Sequence, residues 1–327
     1  METLTKTLSA GLAAAALTIA APVAADTYVV AVGAASNSLQ GKSAARFAEE
    51  LQAQLGDAHK VEFYADAQLG NEKELMQKLR LGTVDFTLIS SIMTNVAPEF
   101  ALFDMPFLVQ DRAHLKAIDA EIVQTDLAPL AEQAGLKVLS TWENGFRQIT
   151  NSTRPINTPA DLDGLKIRTP SSEWRVSMFK EWGSNPTPMS FSEVFVALQT
   201  GTMDGQENPL TNIVGANFQE VQKYLSLTGH VYSPTYLTSG AQTWDKQPDD
   251  VKAAVTEVAT SVQDWALEQG ETADNELVDK VRAAGVEVNV ADKAAFIAAS
   301  APIYEAFANQ VPGGDALVSR AQDLAQK

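Results

Sequence analysis

Cysteine is absent from the 327 residues, which excludes disulfides, thiolate nucleophiles and sulfur-ligated metals and leaves stability to packed cores. Histidine is scarce: His59, His114 and His230 lie far apart, with no H-E-x-x-H pair for zinc. Also missing are a P-loop, a dinucleotide fingerprint and a G-x-S-x-G nucleophile elbow. Beyond the N-terminus no stretch reaches the ~18 uninterrupted apolar residues of a membrane span. Positive charge is the other shortage, with 24 Lys and Arg against 41 Asp and Glu and a net charge of −17. That balance argues against nucleic acid as a partner. An anionic small molecule is also repelled at long range, but screening confines the repulsion to roughly 10 Å, so a few local arginines can still hold one.

What is present fits a two-lobed exported protein. The length points to about two domains and the 45% hydrophobic content to sizeable cores. Residues 1–25 carry Lys6, an apolar run from Leu8 to Ala20 and the small residues Val23-Ala24-Ala25 before Asp26, the pattern of a signal peptide that directs export to the periplasm. Two stretches, Glu74 to Asp85 and Glu193 to Asp204, share glutamate, leucine and Gly-Thr-x-Asp at equal spacing. Each reads as an amphipathic helix closed by a left-handed glycine cap, which implies one supersecondary unit used twice and a cleft between two similar lobes. Strands at Thr27–Ala34, Lys60–Tyr64, Val84–Leu88, Lys137–Trp142, Phe146–Thr150 and Leu165–Arg168 alternate with helices such as Leu39–Leu55. This order predicts an α/β fold with parallel, open sheets flanked by helices. A helical pattern from Asp249 to about Ala284, interrupted only by Gly270, is long enough to span both lobes, and no Pro/Gly/Ser-rich linker separates them, so crossing strands are expected to join them.

Candidate ligand-binding residues cluster between Trp142 and Asn208. In Leu165-Lys166-Ile167-Arg168-Thr169-Pro170 the alternation sets Arg168 on the face opposite Leu165 and Ile167, at the carboxyl end of a strand that Pro170 stops. Open α/β sheets bind ligands at that end. Arg147 follows a turn signal at Glu143-Asn144-Gly145 and lies in the next alternating strand. A guanidinium grips a carboxylate bidentately and keeps its charge when desolvated, so two such arginines suit one organic anion. Asn208, before Pro209, reads as a helix N-cap, a position where backbone N–H groups also face anions. Ser190 with Glu193 forms a capping box that leaves Phe191 near a helix start.

The runs GFRQITNSTRPINTPADLDGLKIRTP, PMSFSEVFVALQTGTMDGQENP, QLGNEKELMQKLRLGTVDF and FDMPFL resemble the signatures of substrate-binding proteins of tripartite ATP-independent periplasmic (TRAP) transporters, of the C4-dicarboxylate-binding type. The similarity covers nearly all of the chain after the signal. It implies two α/β lobes, each an open mixed sheet, joined by crossing strands and a long helix, with a signal peptide over residues 1–25, lobe I over 26–145 plus 234–272, and lobe II over 146–233 plus 273–327. By resemblance Arg168 pairs with the ligand carboxylate, Arg147 is a second arginine, Asn208 joins them, and Glu72 reaches polar groups of the ligand or caps its helix beside Asn71. Ser91, Trp174, Phe191 and Asn212 fall where the cleft varies with substrate. Where many relatives have a histidine after the first strand, this chain reads Ala35-Ser36-Asn37-Ser38, which puts contacts from that loop in question.

The expected protein is thus a periplasmic, monomeric binding protein for a small organic acid that hands its ligand to the small and large membrane permease subunits, with no cofactor or metal. Ser36, Asn37, Glu72, Ser91, Asn208 and Asn212 suit a hydroxylated acid such as a sugar acid, with Trp174 and Phe191 able to cover a ring face. A dicarboxylate would want a further cation, which the sequence does not identify. Two rivals stay open: a periplasmic carboxylate-based hydrolase or lyase, since acids are abundant, and a binding protein serving a membrane sensor.

Overall fold

The computed structural model describes residues 26–325; the signal peptide expected at residues 1–25 lies outside them. The chain begins with β1 Asp26–Ala31, α1 Leu39–Leu55, β2 His59–Tyr64, α2 Glu72–Leu81 and β3 Phe86–Ile89, the βαβα order read from the pattern. The ends of α1 fall where its apolar periodicity starts and stops, because the Ser38 hydroxyl accepts the Gly41 N–H at 3.1 Å and Gly56 takes φ 63°. Two 3₁₀ segments, Ser91–Asn95 and Pro98–Asp104, lead to α3 Arg112–Ile118, a π-helical stretch Asp119–Leu127, α4 Ala128–Gln133 and β4 Leu136–Asn151. Then come β5 Lys166–Thr169, α5 Glu173–Glu181, β6 Asn185–Pro188, α6 Val194–Gln199, β7 Gly205–Pro209, α7 Leu210–Gly215, β8 Tyr224–Leu227 and β9 Tyr232–Gly240. α8 Ala241–Asp245, α9 Asp249–Ala283, β10 Glu287–Val290, α10 Lys293–Ala298, α11 Ala301–Gln310 and α12 Gly314–Leu324 follow.

The strands run in the order β2-β1-β3-β9-β4-β7-β5-β6, with β8 pairing β4 and β10. In one lobe β2, β1 and β3 are parallel and β9 is antiparallel to β3; in the other β6, β5 and β7 are parallel and β4 is antiparallel to β7. The two Gly-Thr-x-Asp repeats occupy equivalent places. Asp85 donates its N–H to Val29 O (3.0 Å) and accepts the Val29 N–H on its carboxylate (2.7 Å). Asp204 does the same with Lys166, at 2.9 Å and 2.8 Å. In both lobes the aspartate locks the entry of a strand against the first parallel strand of its lobe.

One expectation needs correcting. Lys137–Trp142 and Phe146–Thr150 are not two strands separated by a turn but a single strand, β4, which pairs with β9 up to Phe146 and with β7 from Arg147 onward. The Asn144-Gly145 signal marks a bulge: the register shifts between Glu143 and Gly145, and Gly145 takes φ 123°. A turn and a bulge both use a positive-φ glycine, and local sequence does not separate them.

Apolar packing ties the lobes together through α9. Its Val251, Val255, Val258 and Val262 pack with Phe47, Leu51, Phe86 and Trp142. Farther along, Val281 joins Val194, Leu198, Ile213, Phe218 and Leu225. The largest core runs from Leu75 and Leu79 through Phe100 to Phe179, Trp182, Phe296 and Phe307, each such buried side chain contributing about 1.5–3 kcal/mol. Among the described residues no helix is long and apolar enough to cross a membrane.

Candidate functional site

A cavity of about 800 Å³ lies where the carboxyl ends of the parallel strands of both lobes meet, the place at which open α/β sheets present ligand-binding loops. Val32, Gly33 and Ala34 after β1, and Ser90 and Ser91 after β3, form one wall. Pro170 to Ser172 after β5, Met189 and Ser190 after β6, and Asn208 at the end of β7 form the other. Asn144 and Arg147 of β4 lie between them. Across the lips the Asn95 side chain donates to Ser171 O at 2.7 Å.

Arg168 and Arg147 both line this cavity, each almost fully buried, but their surroundings differ. Arg147 forms an ion pair with Glu207 through Nε and Nη2, and Nη2 also reaches Glu207 O (2.6 Å) and Asn208 Oδ1 (3.1 Å). Arg168 has no ion pair among the described residues; its Nε and Nη2 both donate to Met189 O, at 3.0 Å and 2.5 Å. Burial lowers the Arg168 pKa to about 10, with repulsion from Arg147 adding and attraction to Glu207 and Glu72 opposing. A buried cation facing open space without an anion is costly unless something charged arrives.

Behind the arginines lies a charge cluster that sequence reasoning missed. Arg175, fully buried, donates from Nη1 to Glu207 (2.7 Å) and from Nη2 to Asp104 (2.5 Å). Burial alone would raise the Glu207 pKa, but the Arg147 and Arg175 guanidiniums outweigh it and hold the carboxyl well below its usual range. Burial depresses His230 to about 4, so it is neutral at pH 7; its Nε2–H donates to Glu207 (3.1 Å) and its Nδ1 accepts from Thr228 (2.8 Å). Glu207 sat in plain view between Gln206 and Asn208, but nothing local distinguishes a strand glutamate that takes two arginines from distant segments.

The other candidates divide. Glu72, Ser91, Phe191, Asn208 and Asn212 all line the cavity. Asn71 and Glu74 make the capping box of α2, which frees Glu72 to accept the Ser90 N–H at 3.0 Å. Burial raises the Glu72 pKa. Asn208 is no helix cap: it is a residue of β7, Pro209 takes the cap position of α7, and the Asn208 amide donates to Gln206 Oε1 (2.5 Å). Asn212 donates to Asn144 Oδ1 at 3.0 Å, and its own buried Oδ1 has no partner among the described residues. Phe191 packs on Phe218, with ring centroids 5.6 Å apart.

Trp174 does not line the cavity; its ring packs edge-on against Phe307 at 5.4 Å, within the large core. Ser36 and Asn37 also lie outside it, exposed on a loop where the Ser36 N–H is held by Asp66 (2.8 Å) and Ser38 caps α1. Helical periodicity gives Trp174 no marker that tells a cleft face from a core face. Two cations not identified from sequence, Lys73 and Arg80, stand exposed on the rim.

Residues 30–310 match the family described as bacterial extracellular solute-binding protein, family 7. The 2,3-diketo-L-gulonate-binding periplasmic protein YiaO of Escherichia coli is 36% identical over 286 residues, 86% of this chain and 87% of its own length. A TRAP periplasmic solute binding protein from Bordetella bronchispeptica, with density interpreted as pantoate, superposes with a TM-score of 0.87 at 35% identity over 91% of this chain and 99% of that one. The sugar acid binding protein DctPAm of Advenella mimigardefordensis, in complex with galactonate, gives 0.88 at 31% identity over 92% and 98%. The chain is therefore a member of bacterial extracellular solute-binding protein family 7, the DctP-like binding proteins of TRAP transporters.

Proposed function

We propose that this protein captures a hydroxylated monocarboxylate, of the sugar-acid class, in the interlobe cavity and delivers it from the periplasm to a TRAP membrane permease. The observation that carries the reading is Arg168, a buried guanidinium that lines the cavity and makes no ion pair among the described residues. The charge count supports one carboxylate. Glu207 and Asp104 take Arg147 and Arg175 into ion pairs, His230 is neutral, and Arg168 alone of the three arginines makes no ion pair among the described residues, which leaves one guanidinium for one carboxylate. Hydroxyls would meet Asn212 Oδ1, Ser91 and Glu72, while Phe191 and Met76 offer apolar cover. Galactonate in one neighbour, pantoate in another and the diketogulonate of the Escherichia coli relative all carry one carboxylate and several oxygens.

Closure follows from the same chemistry. A ligand touching both walls favours the state in which both contacts exist, and expelled water strengthens the ion pair. Isothermal titration with galactonate, pantoate and succinate decides the class. The expected result is binding of a hydroxylated monocarboxylate that is lost on Arg168→Ala with the fold intact; removing one partner of a buried charge pair costs about 2–5 kcal/mol, roughly 30-fold or more in affinity. Unchanged affinity in that variant would count against the assignment. Lys73 and Arg80 at the rim support a second reading, a dicarboxylate whose far end they meet; tightest binding by succinate selects it. Recovery of the bound acid unaltered by mass spectrometry separates capture from turnover.

A further inference from the structure

Three stretches of chain pass between the lobes: β4, β9 and α9. A single guanidinium outside the ligand cavity is linked to all of them. Arg112, at the start of α3, donates from Nη2 to Glu143 Oε1 on β4 and to Asp274 Oδ2 on α9, both at 2.8 Å. Its Nε reaches Glu143 Oε2 at 3.3 Å, and the guanidinium lies 5.9 Å from the Phe146 ring of β4. Tyr232 of β9 donates its hydroxyl to the same Glu143 carboxylate and packs its ring edge-on to Phe146 at 5.0 Å.

Each partner stands at a point where the crossing bends or packs. Glu143 starts the bulge of β4, and Phe146 is its last residue paired with β9 before Arg147 switches to β7. On α9, Gly270 lies one turn before Asp274. A Cβ there would come within 2.5–2.6 Å of the Glu143 side chain, so glycine is what admits the carboxylate against the helix. Arg112 itself is anchored from behind: Asp111 caps α3 by accepting the His114 N–H (2.8 Å), and the His114 ring meets Ala321 O of α12 at 2.6 Å.

We propose that Arg112 is the hinge clasp of this protein, a positioning residue that favours the closed arrangement of the lobes and so sets ligand affinity without touching the ligand. The proposal rests on the reading of the cavity as a site closed by lobe movement. Glu143 is wholly buried, Arg112 and Asp274 only partly, so rotation about the bulge must break or stretch at least one arm of the clasp. In the structure the clasp is intact while Asn95 is bonded to Ser171 O across the cleft mouth, so the energy of those arms belongs to the arrangement with the lips together, which is the differential that shifts a two-state equilibrium.

The test uses the full chain lacking its signal. Because the protein has no cysteine, Glu49→Cys on α1 and Lys180→Cys on α5, both exposed, give unique spin-label sites for interlobe distances. Galactonate is the probe, with pantoate and succinate as alternates. Arg112→Gln is expected to weaken binding by about tenfold, speed dissociation and broaden the ligand-free distance distribution towards wider separations. Arg112→Lys, which keeps the charge but not the fork, recovers part of each effect. Asp274→Asn cuts only the partly exposed arm and serves if Arg112→Gln fails to fold; about threefold weaker binding with a retained melting temperature is expected. Wild-type affinity and unchanged distances in the folded variants would overturn the clasp. If none of these acids binds the wild type, the ligand reading fails, yet the ligand-free distances still decide the clasp.

Discussion

Arg147 and Arg168 carry the same charge in different company, and their substitutions separate accordingly. Arg147 holds Glu207 in a buried ion pair, and removing one member of such a pair leaves an uncompensated charge. Arg147→Gln should therefore lower stability by about 3–5 kcal/mol in urea unfolding as well as weaken binding. Arg168 has no such partner among the described residues, so Arg168→Gln should leave the unliganded midpoint unchanged or slightly raised while abolishing capture. His230 gives the pH dependence its sign. Its pKa is pushed down from 6.5 to about 4 by burial, so between those values the unfolded chain binds the extra proton and stability falls as pH falls. The loss amounts to at most about 3 kcal/mol. Glu143, raised by burial to about 7, works in the opposite direction: from about pH 4.5 to 7 its folded form holds the extra proton, so stability falls as pH rises. Unfolding midpoints from pH 4 to 7 should show the acid-side slope reduced in His230→Gln and the opposing contribution removed in Glu143→Gln.

At the scale of elements, glycine 270 shows how one missing methyl places a helix. Gly270 is the weak point of the single helical pattern read from Asp249 to about Ala284, and α9 continues through it because tertiary packing on β4 compensates for the poor helix propensity. Gly270→Ala raises intrinsic helicity and still should destabilise by about 1–3 kcal/mol, the usual cost of overpacking, as measured by denaturant unfolding with far-UV circular dichroism unchanged. In a Glu143→Ala background the contact is gone and the penalty should vanish, a coupling that a double-mutant cycle detects. The extent of α1 was legible from the apolar period of Leu39–Leu55, and the paired repeats from Gly-Thr-x-Asp, because periodicity and C-terminal glycines act within a few residues. β4 was misread as two strands because its bulge is defined by β9 alongside it, not by its own residues.

For the whole molecule the scarcity of positive charge becomes informative. Against a net charge of −17, three arginines converge at one cavity, and Glu207 and Asp104 pair with two of them. An acid that binds only the folded protein stabilises it by mass action, about 2.7 kcal/mol at a hundredfold excess over Kd. A saturating bound acid should raise the melting temperature in a differential scanning measurement, and small-angle scattering should show lobes no wider than in the free protein. Absence of any shift with an acid that calorimetry shows to bind would contradict a ligand that couples to folding and closure.

The amino-acid order by itself determined the class of fold, the twofold use of one supersecondary unit, the cleft at the carboxyl ends of the strands and the arginines facing it. Those features follow from periodicity, capping and side-chain alternation, which operate over a handful of neighbours. Only the folded arrangement decided which arginine is satisfied and which is free, that Trp174 belongs to the core, and that Glu207, Arg175 and Asp104 share one buried cluster. Partners that meet across dozens of residues leave no local trace, because their energy comes from burial and from charges that proximity in space alone creates.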